Sequence, residues 1–160
     1  MTLLNFKKEQ NISHWSVVSD TVMGGISNSD FGLNDAGFGV FSGKVSLENN
    51  GGFSMARCNF DTKNVSVYNT FLLRIKGDGK TYQFRVKSNI YNKHSYVLRF
   101  DTSGDWETIE ISFNNLKPTF RGKNIDMANY PGKQLEQVAF LIGNKKEETF
   151  KLEIESLQLK

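Results

Sequence analysis

The chain has 160 residues and a formal net charge of +3, from 20 basic and 17 acidic side chains. This length suffices for one domain with a full core, and the scattered charges argue against a nucleic-acid partner. A lone cysteine excludes an internal disulfide, and the longest apolar run, residues 138–142, is too short for membrane insertion. The amino terminus has neither signal-peptide nor transit-peptide character. We therefore expect one domain, residues 1–160, in the cytoplasm.

Two irregular, glycine-containing runs lie in the first third of the chain. The run 15–29 combines Trp15, Asp20 and Met23 with a Gly-Gly pair, and it follows neither a helical nor a strand period. The run 47–57 has the same character. Gly-Gly pairs supply backbone angles that other residues avoid, so both runs are predicted to be loops of fixed shape.

Apolar and polar residues alternate from Phe38 onward, which is typical of strands with one face in a core. The alternating segments are 41–47, 71–76, 82–87, 94–101, 109–113 and 150–155. Leu157 and Leu159 fall on the opposite parity from the segment before them. A β-bulge near Glu155-Ser156 would return both leucines to the core. A C-terminal strand placed in the sheet would also bring the two chain ends together.

Turn signals separate these segments. Residues 77–79 and 103–105 are predicted to be hairpin turns, and 49–52 a turn between two further strands. Residues 5–13 and 133–137 are the only candidates for short helical turns. Seven or more short strands with abundant aromatics predict an all-β fold, a jelly-roll β-sandwich of two antiparallel sheets.

The sequence contains no convincing catalytic or metal-binding motif. Residues 77–81 resemble a phosphate loop, but Arg74 occupies the position of a required glycine and a strand follows instead of a helix. Cys58 and His94 could be drawn as part of a hydrolase triad, although a buried strand cysteine is the simpler interpretation. Two histidines and one cysteine are too few for a zinc cluster. We expect no enzyme activity, no cofactor and no metal.

Polar residues in the glycine loops are the better site candidates. Each either braces its loop by hydrogen bonds or faces a ligand, because burying it unpaired would be costly. Arg57 is expected to brace the loop that carries Asp20 through an ion pair, and Arg121 is expected to be exposed. Aromatic residues of the central strands either fill the core or stack on a sugar. The candidate ligand- or partner-binding residues are Asp20, Met23, Asn49, Asn50, Arg57, Tyr82 and Arg121.

An ordered set of motifs resembles the complex I intermediate-associated protein 30 family. The set spans Trp15 to about Leu157: Trp15 with Asp20-Thr21-Val22-Met23-Gly24-Gly25 and Ser27; Phe41-Ser42-Gly43; Asn50-Gly51-Gly52-Phe53 with Arg57; Lys76-Gly77-Asp78-Gly79 with Tyr82; Trp106 before a strand ending at Phe113; Phe120-Arg121-Gly122; and Phe150 with Leu152. The chain resembles a stand-alone bacterial-type member of this family.

The resemblance implies a galactose-binding-like jelly roll and a non-enzymatic role. Family members are assembly factors, of the chaperone type, for respiratory complex I, so a protein partner is the first expectation. A carbohydrate-binding module is the alternative, and an exposed aromatic platform on a polar sheet face would favour it. An enzyme would require a deep pocket that gathers Asp20, Arg57 and Arg121.

Overall fold

The computed structural model describes residues 1–160, apart from the side chains of Val22, Met23 and Asn50. Its strands are β1 (Thr2–Asn5), β2 (Trp15–Ser19), β3 (Asn28–Leu33), β4 (Gly39–Val45), β5 (Ser54–Asn64), β6 (Thr70–Lys76), β7 (Thr81–Lys87), β8 (Ser95–Asp101), β9 (Trp106–Ser112), β10 (Lys117–Phe120), β11 (Lys123–Asn124), β12 (Gln134–Ile142) and β13 (Glu148–Leu159). Three short 3₁₀ segments, Asp20–Met23, Glu48–Asn50 and Phe113–Asn115, lie between strands. No helix within the described residues is long and apolar enough to cross a membrane.

The strands form two antiparallel sheets packed face to face, which confirms the all-β jelly-roll prediction. The six-stranded sheet has the order β3-β4-β13-β6-β9, with β1 also paired to β13. The seven-stranded sheet has the order β11-β10-β8-β7-β12-β5-β2. Alternate residues of each strand point inward, so the two inner faces together make one hydrophobic core.

The predicted bulge in the last strand is confirmed. The register of β13 against β6 shifts between Ile154 and Ser156, and both Leu157 and Leu159 are buried. β1 pairs with the end of β13, placing Thr2 opposite Gln158. The two chain ends therefore lie side by side, as expected.

The predicted hairpins at 77–79 and 103–105 are wrong. The first joins β6 to β7 and the second joins β8 to β9, and in each case the two strands belong to different sheets. Gly-Asp turn chemistry reverses the chain equally well within a sheet and between sheets. Strand order depends on distant pairing, so the local sequence cannot distinguish the two.

The two predicted helical turns have different outcomes. Residues 133–137 run into β12, whose residues Leu135 and Val138 are fully buried, so strand pairing overrides the local pattern. Within 5–13 the amides of Lys8 and Glu9 both donate to the Asn5 carbonyl, which makes a single hydrogen-bonded turn.

Aromatic rings fill much of the space between the sheets. Phe71 packs edge-on against Phe84 of the opposite sheet with centroids 5.1 Å apart, and Trp15 stacks on Phe31 at 4.0 Å. Burial of large aromatic side chains dominates the energetics of such a core. Because alternate residues of each strand point into this core, the residues between them face outward.

Candidate functional site

The two glycine loops meet at the end of the sandwich, around the carboxylate of Asp20. Its side chain has no exposed surface and accepts four hydrogen bonds. The Ser27 amide and hydroxyl donate at 3.0 and 2.5 Å, and the Gly52 and Phe53 amides donate at 2.5 and 3.3 Å. We call this cluster, completed by Ser46, the Asp20 junction.

The Asp20 junction ties the two sheets together. The first loop connects β2 to β3 and the second connects β4 to β5, so each crosses from one sheet to the other. The Ser27 hydroxyl links them further, because it also accepts from the Ser46 amide at 2.9 Å. Burial would raise the pKa of Asp20, but the hydrogen bonds from Ser27, Gly52 and Phe53 outweigh it and hold the pKa below its usual value.

Glycine is required on both sides of this carboxylate. A Cβ on Gly25 would lie 2.5 Å from the Asp20 Cγ, and one on Gly51 would collide with the same carboxylate. Gly24 and Gly52 instead adopt φ values of +87° and +142°, which other residues rarely reach. These four glycines explain why the two runs appear so specific in the sequence.

The expected ion pair between Arg57 and Asp20 is not formed. Among the described residues, the salt bridges are Lys7–Glu155, Lys80–Asp78 and Lys160–Glu110. The Arg57 guanidinium instead donates through Nε to the Ser16 hydroxyl at 3.2 Å. Backbone amides and a serine satisfy Asp20, so the junction needs no cation.

The other candidate residues differ in their exposure to solvent. Tyr82 is fully buried, and its hydroxyl donates to Asp78 at 2.9 Å, so like Asp20 it presents no surface to a ligand. Asn49 and Arg121 are exposed, each with a left-handed φ near +50°. The side chains of Met23 and Asn50 lie outside the described residues.

A second group of polar and positively charged side chains lies elsewhere, on the outside of the seven-stranded sheet. Strand register aligns its outward residues in three neighbouring rows. The first row is Ser16–Arg57–Ala139–Arg85–Val97–Lys117, and the third is Val18–Met55–Leu141–Gln83–Arg99. The second row has two parts, Asn59–Gln137–Lys87 and Ser95–Thr119–Asn124, which meet just beyond the last paired residues of β7 and β8. We call this surface the basic face, after Arg57, Arg85, Lys87, Arg99 and Lys117.

Part of the basic face is recessed into a cleft of about 360 Å³. Strands β7, β8, β10 and β11 line it, and its polar side chains include Gln83, Arg85, Arg99, Asn115 and Asn124. Ala139 lies between Arg57 and Arg85 in the first row. Because its side chain is small and buried, the surface between the two arginines is a shallow depression. The face is therefore shaped to admit an extended polar ligand.

The cations at the centre of this face are partly removed from water. Burial lowers the pKa of Arg85, and burial together with the charges of Arg85 and Arg57 lowers the pKa of Lys87. The Arg85 guanidinium donates to the neutral Gln83 amide at 2.8 Å, and the Lys87 ammonium donates to the Asn92 carbonyl at 2.7 Å. Only neutral groups accept from them among the described residues.

A second cleft, of about 260 Å³, lies beside Trp15, Cys58 and His14. Burial raises the pKa of the Cys58 thiol to about 12, so this cysteine is protonated at neutral pH and unreactive as a nucleophile. His94 contacts the Tyr96 hydroxyl at 3.3 Å. Neither cleft gathers Asp20, Arg57 and Arg121, the arrangement that an enzyme would have required.

A family model for complex I intermediate-associated protein 30 matches residues 4–154. The chain belongs to this family. The match covers nearly the whole chain, as the ordered motifs indicated. No curated protein sequence is significantly similar to this family member.

Solved structures with a similar fold include carbohydrate-binding modules and an agarase, at low sequence identity. A family 11 carbohydrate-binding module of the cellulosomal cellulase Lic26A-Cel5E of Clostridium thermocellum has a TM-score of 0.71 at 15% identity, covering 99% of this chain and 92% of that one. A family 11 module from the same organism, in complex with a β-1,3-1,4-mixed-linked tetrasaccharide, scores 0.68 at 16% identity, with coverages of 99% and 93%. An exo-β-agarase scores 0.61 at 9% identity, with coverages of 100% and 25%. At such identities the likeness concerns the fold.

Sequence reasoning missed Arg85, Lys87, Arg99 and Lys117 as site candidates. A signal was present for Arg85, Lys87 and Arg99, which occupy the polar phase of predicted alternating segments, whereas Lys117 lies outside those segments. Placing them on one surface requires the strand order β10-β8-β7-β12-β5, in which sequence neighbours are not always spatial neighbours. Arg57 is the member of the basic face that was predicted.

Proposed function

We propose that this chain is a non-enzymatic binding module that assists the assembly of a protein complex, with respiratory complex I as the first candidate. Membership of the complex I intermediate-associated protein 30 family supports the role. The observation that carries the proposal is the outer face of the seven-stranded sheet, which is broad, polar and free of aromatic side chains in its three described rows.

A face of this kind suits a protein partner better than a sugar. Sugar rings are commonly held by stacking on exposed aromatic side chains. Here Tyr82 and Tyr96 are buried in the core, and Tyr91, which is 87% exposed, lies in the loop between β7 and β8. Protein–protein interfaces are about as apolar as the rest of a protein surface and are enriched in arginine, so the arginines and apolar side chains of this face are compatible with a protein partner.

Affinity purification of the tagged chain from the cell that makes it tests the assembly role. The expected result is co-purification of subunits of one complex, enriched in incomplete assemblies over the mature complex. Deletion of the gene should reduce the level of that complex on native gels. Normal levels of every respiratory complex in the deletion strain, with no subunit captured, would refute the role.

Carbohydrate binding is the second candidate. It is favoured by the amides of Gln83, Asn115 and Asn124 in the larger cleft, because amides hydrogen-bond well to sugar hydroxyls. The fold likeness to a module bound to a mixed-linked tetrasaccharide supports the same candidate. Calorimetric titration with that tetrasaccharide and with galacto-oligosaccharides decides it: saturable heat abolished by Gln83→Ala would favour a sugar ligand.

A further inference from the structure

The basic face differs from the rest of the surface in the sign of its charges. The outer face of the six-stranded sheet mixes both signs; Glu153, for example, lies directly opposite Lys76 in the strand register. The three rows of the basic face contain five cationic side chains and no carboxylate. The fold thus brings five cationic side chains from four different strands onto one face with no carboxylate among them.

The carboxylates nearest to this face lie beyond its rows, and two of them have partners of their own. Asp101 follows Arg99 on β8 and accepts from the Thr81 hydroxyl at 2.6 Å. Glu136 lies at the register shift of β12 and accepts from Thr62 and from the Ile90 amide. Neither forms an ion pair with the basic face within the part of the chain that the structure describes.

The shape of the face selects among anionic macromolecules. Arg85 lines the cleft and is half-buried, so the phosphates of a wide, rigid duplex would not reach it easily. Single-stranded nucleic acid is held by bases stacked on aromatic side chains, and the three rows present none. Carboxylates on short flexible side chains can enter such a cleft and pair with a guanidinium through two parallel hydrogen bonds.

We infer that the basic face binds an acidic segment of a partner protein, whose Asp and Glu side chains pair with Arg57, Arg85 and Lys117 along the first row. This inference rests on the proposed role in binding a protein complex and names the chemistry of the partner. The row from β5 to β10 crosses four strand spacings of about 4.8 Å each, so an extended segment of about six residues spans it. Gln83 and Asn124, which line the cleft, supply amide donors for the backbone of that segment.

The test uses the full chain and a fluorescent ten-residue peptide in which Glu alternates with Gly and Ser. The matched peptide carries Gln in place of Glu. We expect saturable binding of the Glu peptide in fluorescence anisotropy, weakened by salt, and no binding of the Gln peptide. The double variant Arg57→Glu/Lys117→Glu should weaken binding at least about tenfold, and Arg85→Gln by several-fold.

Lys44→Glu is the control for charge, since Lys44 is exposed on β4 of the other sheet. It should leave the affinity unchanged, and circular dichroism melts should show every variant folded. Three outcomes would overturn the inference: no peptide binding at low salt, equal loss in Lys44→Glu, or tighter binding of a single-stranded oligonucleotide or of phosphatidylserine vesicles than of the peptide.

The binding of an acidic segment and the assembly role can be refuted independently of each other. A complex captured equally well by the wild type and by Arg57→Glu/Lys117→Glu would overturn the acidic segment and leave the assembly role intact. Peptide binding by the basic face, with no complex captured from the native cell, would contradict the assembly role and leave the inference standing.

Discussion

The Asp20 junction and the basic face handle charge in opposite ways. The junction holds one carboxylate with no exposed surface and fills its acceptor positions with four donors from its own chain. On the basic face, Arg57, Arg85, Lys87 and Arg99 donate to neutral groups, and no cation of the face forms an ion pair within the described residues. A charge satisfied internally serves the fold, whereas a charge left without a counter-ion is available to a partner. The two regions should therefore respond differently to substitution.

The largest effect is expected at Asp20 itself. Asp20→Ala would leave the amides of Ser27, Gly52 and Phe53 without their acceptor in a buried setting, at a cost of about 3–5 kcal/mol. For a chain of this size that corresponds to a melting temperature lower by about 10 °C. Thermal unfolding followed by circular dichroism measures it. A melt within two degrees of the wild type would show that the junction is dispensable.

The adjacent glycines separate crowding from backbone strain. Gly25→Val would push a side chain into Asp20 and should cost about 2–3 kcal/mol. Gly24→Val is the matched control, because Gly24 has a positive φ but open space around its Cβ position, and only about 1 kcal/mol is expected there. Chemical denaturation of both variants compares them. Equal losses would mean that contact with Asp20 is not the reason for glycine at position 25.

Acid should weaken the wild type through the same carboxylate. Because the pKa of Asp20 is lowered in the folded state, its stabilising effect is complete above the unfolded pKa of about 4 and is lost as the pH falls through the lower folded value. Asp20→Asn, which cannot ionise, should lack this component. Denaturation at several pH values between 2 and 7 should show the two stabilities converging as the pH falls. Parallel curves would contradict this assignment.

The smallest effect on stability is expected on the basic face. Arg57→Ala removes one hydrogen bond of 3.2 Å from a half-exposed side chain, so the free energy of unfolding should change by less than about 0.5 kcal/mol. Capture of a partner should nevertheless fall. A large drop in the melting temperature would show that Arg57 stabilises the fold. It would also contradict the distinction drawn between the Asp20 junction and the basic face.

The sequence predicted features that depend on local pattern. The inward phase of Phe71, Leu73 and Ile75 follows from their alternation, and the bulge before Leu157 follows from a change of parity. The positive φ of Gly24 and Gly52 follows from the limited uses of paired glycines. Each of these conclusions required only residues close together in the chain.

Features that depend on strand order were not predictable in this way. The turn at 77–79 contains residues typical of a hairpin, but it connects strands of different sheets. Asp20 was expected to form an ion pair with Arg57, but its carboxylate accepts hydrogen bonds from backbone amides instead. Arg57 on β5 and Arg85 on β7 lie on one face because both strands pair with β12, where Ala139 is the register partner of each arginine. No local pattern in the sequence predicts that β12 pairs with both of these strands.

The position of β13 has a consequence for how the protein is made. This strand lies at the centre of the six-stranded sheet, between β4 and β6, yet it is synthesised after both. Until it leaves the ribosome, β3–β4 and β6–β9 are separate pairs with open edges, and the core lacks the five buried apolar side chains of β13, from Phe150 to Leu159. The nascent chain therefore depends on late closure, and premature termination before residue 148 would release a product prone to edge-to-edge aggregation.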